Sequence, residues 1–222
     1  MNKKNNFLTT RFAMNDKKII DISWPISQNM TAYKDRKVVV VTHTKTWEAD
    51  QAREALVTFG THSGTHVDAP LHFMKNGSTI DQLDLAKLVG ACTIFDMTHI
   101  DDSIDAHDLT DLPIPEDQII LFKTKNSALD PNALFNPQFI YLSTLAAQLL
   151  ADKNVRAVGI DYLGIERGQP GHETHLRLLE KNIPIIEGLR LAHVQAGEYF
   201  FCCLPLALVG LEAAPARAVL IC

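Results

Sequence analysis

Short apolar runs separated by polar stretches recur along most of the chain. The first run is Lys18-Ile-Ile-Asp-Ile-Ser23, and β-like segments recur at 38–44, 55–59, 92–96, 119–123, 157–161, 183–187 and 200–204. Each has the β-branched or aromatic content of a strand. Helical patterns are fewer, and two stretches are the clearest. One is 143–152, built on Thr-Leu-Ala-Ala-Gln-Leu-Leu, and the other is 172–181, with Leu176, Leu178 and Leu179. Ser143 and Gly171 stand where these helices are expected to start. The order helix 143–152, strand 157–161, helix 172–181, strand 183–187 is that of α/β units packing helices on a sheet. The N-terminal half reads as β-rich. Residues 1–17 are polar and aperiodic and are expected to be a disordered leader. No repeat, low-complexity tract or long linker divides the remainder, so one domain over 18–222 is expected.

Composition narrows the function. The 222 residues are 46% hydrophobic and 21% charged, enough for a real core. Against 26 Asp+Glu stand 21 Lys+Arg, a net charge of −5. That leaves no basic excess for a nucleic-acid backbone or an anionic membrane surface. No apolar run approaches the roughly 20 residues of a membrane-spanning helix, and Arg11 interrupts any export-signal core. Cys92, Cys202, Cys203 and Cys222 include an adjacent pair and read as reduced thiols. A soluble, cytoplasmic protein is expected.

The densest chemistry lies between Thr61 and His72, where His62, His66, His72 and Asp68 fall within eleven residues. In an extended segment His62, His66 and Asp68 share a face, with Gly64 leaving room between them. In a helix His62 and His66 would align but Asp68 would turn away. Gly60, Gly64 and Pro70 argue against the helix. Neutral imidazole suits zinc and manganese, and a carboxylate can bridge two cations. A second group comprises His172, Glu173, His175 and Glu187. Glu187 follows the apolar Ile183-Pro-Ile-Ile186, so if buried and ionised it needs a cationic partner. Spacing alone leaves the choice between His172 and His175 open, and Glu173 is expected to face solvent. The chain has no Gly-x-Ser-x-Gly elbow, phosphate-binding glycine loop or Cys-x-x-Cys pair, which excludes serine-hydrolase, nucleotide and dithiol chemistry.

The segment His62-Ser-Gly-Thr-His-Val-Asp-Ala-Pro-Leu-His72 resembles the His-x-Gly-Thr-His-x-Asp-x-Pro-x-His signature of the cyclase family of metal-dependent hydrolases. That family includes bacterial kynurenine formamidases (arylformamidases) and isatin hydrolases. Further matches follow in family order: Asp21-Ile-Ser23, Val158-Gly-Ile-Asp161, His175 twelve residues before Glu187-Gly-Leu189, Leu204-Pro-Leu206 and Ala214-Pro-Ala-Arg217. The resemblance implies an α/β fold, compact around a mixed β-sheet (swivelling β/β/α-like) with a few flanking helices, assembled as a homodimer or higher homo-oligomer. It also implies a site in which His62, His66 and Asp68 hold one divalent ion and His175 and Glu187 a second. Asp68 and Glu187 would bridge, and His72 would be the general acid/base. The ions implied are Zn2+, one or two, or Mn2+. The family spacing selects His175 and leaves His172 without a role.

The implied reaction is hydrolysis of N-formyl-L-kynurenine to L-kynurenine and formate, a step of tryptophan catabolism, by water activated on the metal. Alternatives are an isatin-hydrolase-like or lactone-cleaving enzyme for cyclic amides or esters, and a metal-binding or ligand-sensing protein without turnover. His72 argues for turnover, because a binding module has no use for a fourth histidine in register. One departure stands out. Where formamidases carry Trp-Pro-Gly-Asp, this chain has Tyr33-Lys34-Asp35. Tyr33 keeps an aromatic platform, Lys34 adds a cation suited to a carboxylate-bearing substrate, and Trp24 is a candidate second wall or ordinary core.

Overall fold

Twelve strands lie among the described residues of the computed structural model, which are 17–37 and 39–222. The expected leader falls, apart from Lys17, outside them. The strands are Ile19–Asp21 (β1), Val40–Lys45 (β2), Glu54–Thr58 (β3), His66–Asp68 (β4), Val89–Asp96 (β5), Ser103–Ile104 (β6), Ile119–Lys123 (β7), Tyr141–Leu142 (β8), Ala157–Ile160 (β9), Ile185–Glu187 (β10), Gly197–Pro205 (β11) and Ala213–Ile221 (β12). The helices are Trp47–Asp50 (α1), Ala106–Leu109 (α2), Thr144–Asp152 (α3) and Glu173–Leu179 (α4). Ser143 caps α3, its Oγ accepting the Ala146 N–H at 3.2 Å. The second helix starts later than Gly171 suggested: its N-cap is His172, in the left-handed region at φ 55°.

Eight strands form one mixed sheet in the order β1-β12-β11-β5-β7-β9-β10-β4. β5, β7, β9 and β10 are parallel neighbours, and the remaining pairings are antiparallel. β4 pairs with β10 on one side and with residues 213–215 of β12 on the other, closing the sheet into a barrel. This is the expected α/β architecture around a mixed sheet. β12 is the one long strand that the alternation did not reveal, because Pro215 has no N–H for a ladder and demotes the segment.

Strand β7 shows why both faces of the sheet are apolar. Ile120 and Phe122 pack with Val158, Ile160, Leu150 and Leu178 beneath α3 and α4. Ile119 and Leu121 point the other way, to Val67, Phe201 and Leu220 in the barrel interior. A strand covered on both sides needs a continuous apolar run rather than alternation. Each such buried side chain contributes roughly 1.5–3 kcal/mol.

Two of the family segments are scaffold. Asp21 on β1 accepts a forked pair from Arg217 Nε at 3.1 and 3.0 Å, tying β1 to β12. Asp161, fully buried after β9, accepts the Thr124 N–H and hydroxyl at 2.7 and 2.8 Å and the Ser127 hydroxyl at 2.6 Å, so it folds the loop after β7. All four cysteines are free, and burial pushes Cys92 up to about 12. Among the described residues no helix is long and apolar enough to cross a membrane.

Candidate metal centre

The register of the closing strand assembles the site. β4 lies between β10 and β12, with His66 directly opposite Glu187, the last residue of β10. Asp68 follows His66 on the same face. His62 reaches the site differently. Residues 61–65 are a turn rather than an extended segment, with Gly64 at φ 64° bringing the chain back over Asp68. Of the strand or loop presentation that the sequence allowed, the strand carries His66 and Asp68 and the loop carries His62. His175 comes from the first turn of α4, and His72 from a 3₁₀ turn, Pro70–His72.

Around the buried Asp68 the approaches are short. His62 Nδ1 is 3.0 Å and His66 Nε2 3.6 Å from Oδ1, and His175 Nε2 is 3.7 Å from Oδ2. Glu187 Oε2 lies 3.3 Å from His66 Nε2, and Oε1 lies 3.4 Å from His175 Nε2. Glu187 Oε1 accepts the Ile165 N–H at 2.6 Å. Neither oxygen of Asp68, nor His66 Nε2, has a partner at hydrogen-bond angles. An ionised carboxylate buried without donors costs several kcal/mol unless a cation compensates it. The nitrogen and oxygen donors converging here are those that hold divalent metals. Ligand atoms of His62, Asp68 and His72 lie within 4.8 Å of one another, and so do those of His66, Asp68 and Glu187. Asp68 is common to both sets.

Behind the imidazoles stand oxygens. His66 Nδ1 donates to the Gly64 carbonyl at 2.9 Å, leaving its Nε2 lone pair for the centre. His175 Nδ1 is 2.9 Å from Glu166 Oε2, and His62 Nε2 is 3.4 Å from Glu212 Oε1, which the Thr61 hydroxyl holds at 2.6 Å. Such partners orient imidazoles at metal sites. Sequence reading missed Glu166 and Glu212. The available signal was a lone acid beside an apolar run, Tyr162-Leu-Gly-Ile165 for one and Ala213-Ala214 for the other.

Charge follows from this packing. Burial alone would lower His62, but the charge of Asp68 in close approach, with Glu187 and Glu212, raises it to about 9. Burial and the Asp68 charge oppose ionisation of Glu187, yet His175 and His66 prevail and pull it down to about 2. Asp68 is likewise held well below the carboxylate range: His62, His175 and His66 outweigh its burial. Burial lowers His72, and the neighbouring His62 and His175 add to this against the pull of Asp68.

A cavity of about 300 Å³ opens over the centre, walled by Tyr33, Lys34, His72, Phe73 and His172. Tyr33 meets Phe135 edge-on at 4.9 Å, and Lys34 Nζ lies 5.1 Å over the Tyr33 ring. Trp24 is not part of this wall. It is buried, donates its ring N–H to the Pro131 carbonyl at 3.1 Å and meets Tyr162 edge-on, so it is core. His172, left without a role by the resemblance, is on the cavity rim, and Glu173 is partly exposed.

Known proteins resemble this chain in sequence and fold. The profile of the putative cyclases matches residues 20–167. The kynurenine formamidase of Salinibacter ruber is 32% identical over 91% of this chain and 96% of its own. A solved structure of a predicted metal-dependent hydrolase from Bacillus stearothermophilus is 44% identical, superposing with a TM-score of 0.83 over 92% of this chain and 98% of that one. Isatin hydrolase A from Labrenzia aggregata shares the fold, with a TM-score of 0.78 at 18% identity over 92% of this chain and 93% of that one.

Proposed function

The chain belongs to the putative cyclase family, and from that membership we propose that residues 18–222 are one metal-dependent hydrolase of amide carbon–nitrogen bonds, of the arylformamidase kind, cleaving N-formyl-L-kynurenine to L-kynurenine and formate. The observation that carries this reading is Asp68, buried among three imidazoles with both oxygens lacking a donor. His62, His66 and Asp68 are the residues that would hold one divalent cation. His175 and Glu187 would hold a second, with Asp68 and Glu187 able to serve both. Zinc and manganese suit the donor set.

A divalent cation bound here supplies Lewis-acid polarisation of the amide carbonyl and water of lowered pKa. The rest is the work of the chain. Tyr33 and Phe73 present aromatic faces to a planar substrate, and the Lys34 ammonium at the same cavity pairs with a substrate carboxylate. Burial keeps the His72 ring neutral near pH 7, so a ring nitrogen accepts the proton of the attacking water. The same nitrogen then delivers it to the departing arylamine, which leaves poorly as an anion.

The assembly proposed is a homodimer. Hairpin β2–β3 forms a two-stranded sheet of its own, and such a pair is marginal alone in water. Val40, Trp47, Leu56 and Val57 are exposed on it and on the intervening α1, which supports a second copy packing there. Light scattering at micromolar concentration should give twice the chain mass, and Leu56→Glu should halve it; a monomeric wild type would sink this assignment.

The reaction is tested by following N-formylkynurenine hydrolysis with protein loaded with zinc, loaded with manganese, or stripped by chelator. Turnover that returns with metal supports the reading. Metal-loaded protein without turnover removes the formamidase assignment and points to isatin-like cyclic amides or lactones. Protein that binds neither ion overturns the metal centre itself.

A further inference from the structure

Glu166 is buried, and both of its oxygens are engaged by one helix start. Oε2 lies 2.9 Å from His175 Nδ1, off the hydrogen-bond angle, and accepts the His175 backbone N–H at 3.3 Å. Oε1 is bonded to His172 Nδ1. The two imidazoles have different surroundings. His175 is buried and faces Asp68 and Glu187. His172 is half exposed on the rim, its ring stacked on Phe73 with centroids 4.3 Å apart and planes 29° apart. Phe73 is in turn 4.1 Å from the His72 ring and 4.6 Å from the His175 ring.

The backbone at His172 adds a second observation. It is left-handed, at φ 55° and ψ 38°, and its side chain makes no capping bond to α4. A non-glycine residue held there is strained, and the strain persists only where surrounding contacts enforce it. Here those contacts are Glu166 and Phe73, and they turn the ring toward the cavity rather than toward the helix.

We propose that Glu166 is a positioning residue that couples the two histidines: it aims His175 at the metal centre and holds His172 against Phe73 as a stacking wall that selects planar aryl amides. The proposal rests on the hydrolase reading above. It separates two effects along one carboxylate. Loss of Glu166 frees His175 to rotate and weakens the metal site, whereas loss of His172 removes half the wall and leaves the metal site intact.

The test measures Zn2+ affinity by competition with a chromogenic chelator, together with KM and kcat for N-formylkynurenine, in wild type, Glu166→Ala, Glu166→Gln and His172→Ala. Glu166→Ala should bind zinc about 10–100-fold more weakly. Glu166→Gln, which keeps an oxygen beside His175 Nδ1 and an acceptor for the His175 backbone N–H, should recover most of that loss and controls for misfolding. His172→Ala should keep the wild-type zinc affinity and raise KM roughly threefold to tenfold with little change in kcat. In the metal-free protein the imidazole nitrogen shifts of His175 should differ between wild type and Glu166→Ala, because the carboxylate oxygen 2.9 Å from Nδ1 is gone. Unchanged zinc affinity and an unchanged His175 signature in Glu166→Ala would overturn the proposal. A zinc loss in His172→Ala equal to that in Glu166→Ala would overturn it too, making His172 part of the ligand set. A wild type that binds no zinc overturns the hydrolase reading first, and is told apart because no variant then differs from it.

Discussion

Asp68 and His72 sit within one short segment, yet their surroundings assign them opposite tasks. Asp68 has no donor for either oxygen, while His72 lines the open cavity. Asp68→Ala should therefore lose metal, with affinity falling by more than about 100-fold, whereas His72→Ala should keep its metal and lose about 10²–10⁴-fold in kcat. Metal analysis of the purified variants beside their kinetics checks both, and full metal content in Asp68→Ala would refute the ligand assignment. His62 adds a pH dependence. Its folded pKa is raised from 6.5 to about 9, so in the metal-free protein its contribution to stability is complete below 6.5 and lost as pH rises through about 9. A cation must displace that proton, so metal affinity should rise about tenfold per pH unit toward pH 9 for this one group and then level. Isothermal titrations at pH 6.5, 7.5 and 8.5 measure the slope, and a flat response would exclude His62 as a ligand.

At the level of elements the site depends on two glycine backbones that cross. Gly188, at φ 71° just after β10, would place a Cβ 2.4 Å from the Gly64 carbonyl oxygen. Gly64, at φ 64°, would place one 2.7 Å from the Trp24 carbonyl. The crossing is pinned by Thr65, whose hydroxyl donates to the Gly188 carbonyl at 2.6 Å and accepts the Trp24 N–H at 2.7 Å. It sets the His62 turn against the end of β10, beside Glu187. Gly188→Ala should cost about 2 kcal/mol or more, by strain and by displacement of the turn. Urea unfolding with an unchanged slope and an earlier midpoint is the expected result, and a variant as stable as wild type would contradict the crossing. Most elements were legible in sequence, because a period of 2 or 3.6 is a local property. The helix at 143–152 and the strand at 119–123 emerge almost residue for residue. The start of α4 and the strand β12 were not legible, since a left-handed histidine and a mid-strand proline both break local rules and are held by tertiary contacts.

For the whole molecule, the candidate centre joins segments from Thr61 to Glu212 across the closed barrel, so a ligand there binds only the folded chain. Free zinc or manganese at 100 times its dissociation constant should stabilise the fold by about 2.7 kcal/mol. Chelation should then lower the melting temperature by roughly 5–10 °C for a chain of this size. Calorimetry with and without chelator reads this directly, and identical melting curves would argue against a metal held by the fold. The same long-range assembly separates what was readable in sequence from what was not. The type of chemistry was readable: three imidazoles and a carboxylate packed between Thr61 and His72 declare metal binding through composition and spacing alone, and the alternation declares a sheet with helices against it. Tertiary structure alone decided that His62 arrives by a turn, that Trp24 is core, and that Glu166, Glu212 and the Gly64 carbonyl stand behind the imidazoles. Those contacts join residues up to 151 positions apart, from Thr61-His62 to Glu212. Strand register and barrel closure determine which side chains meet across such a span, and no local period encodes either.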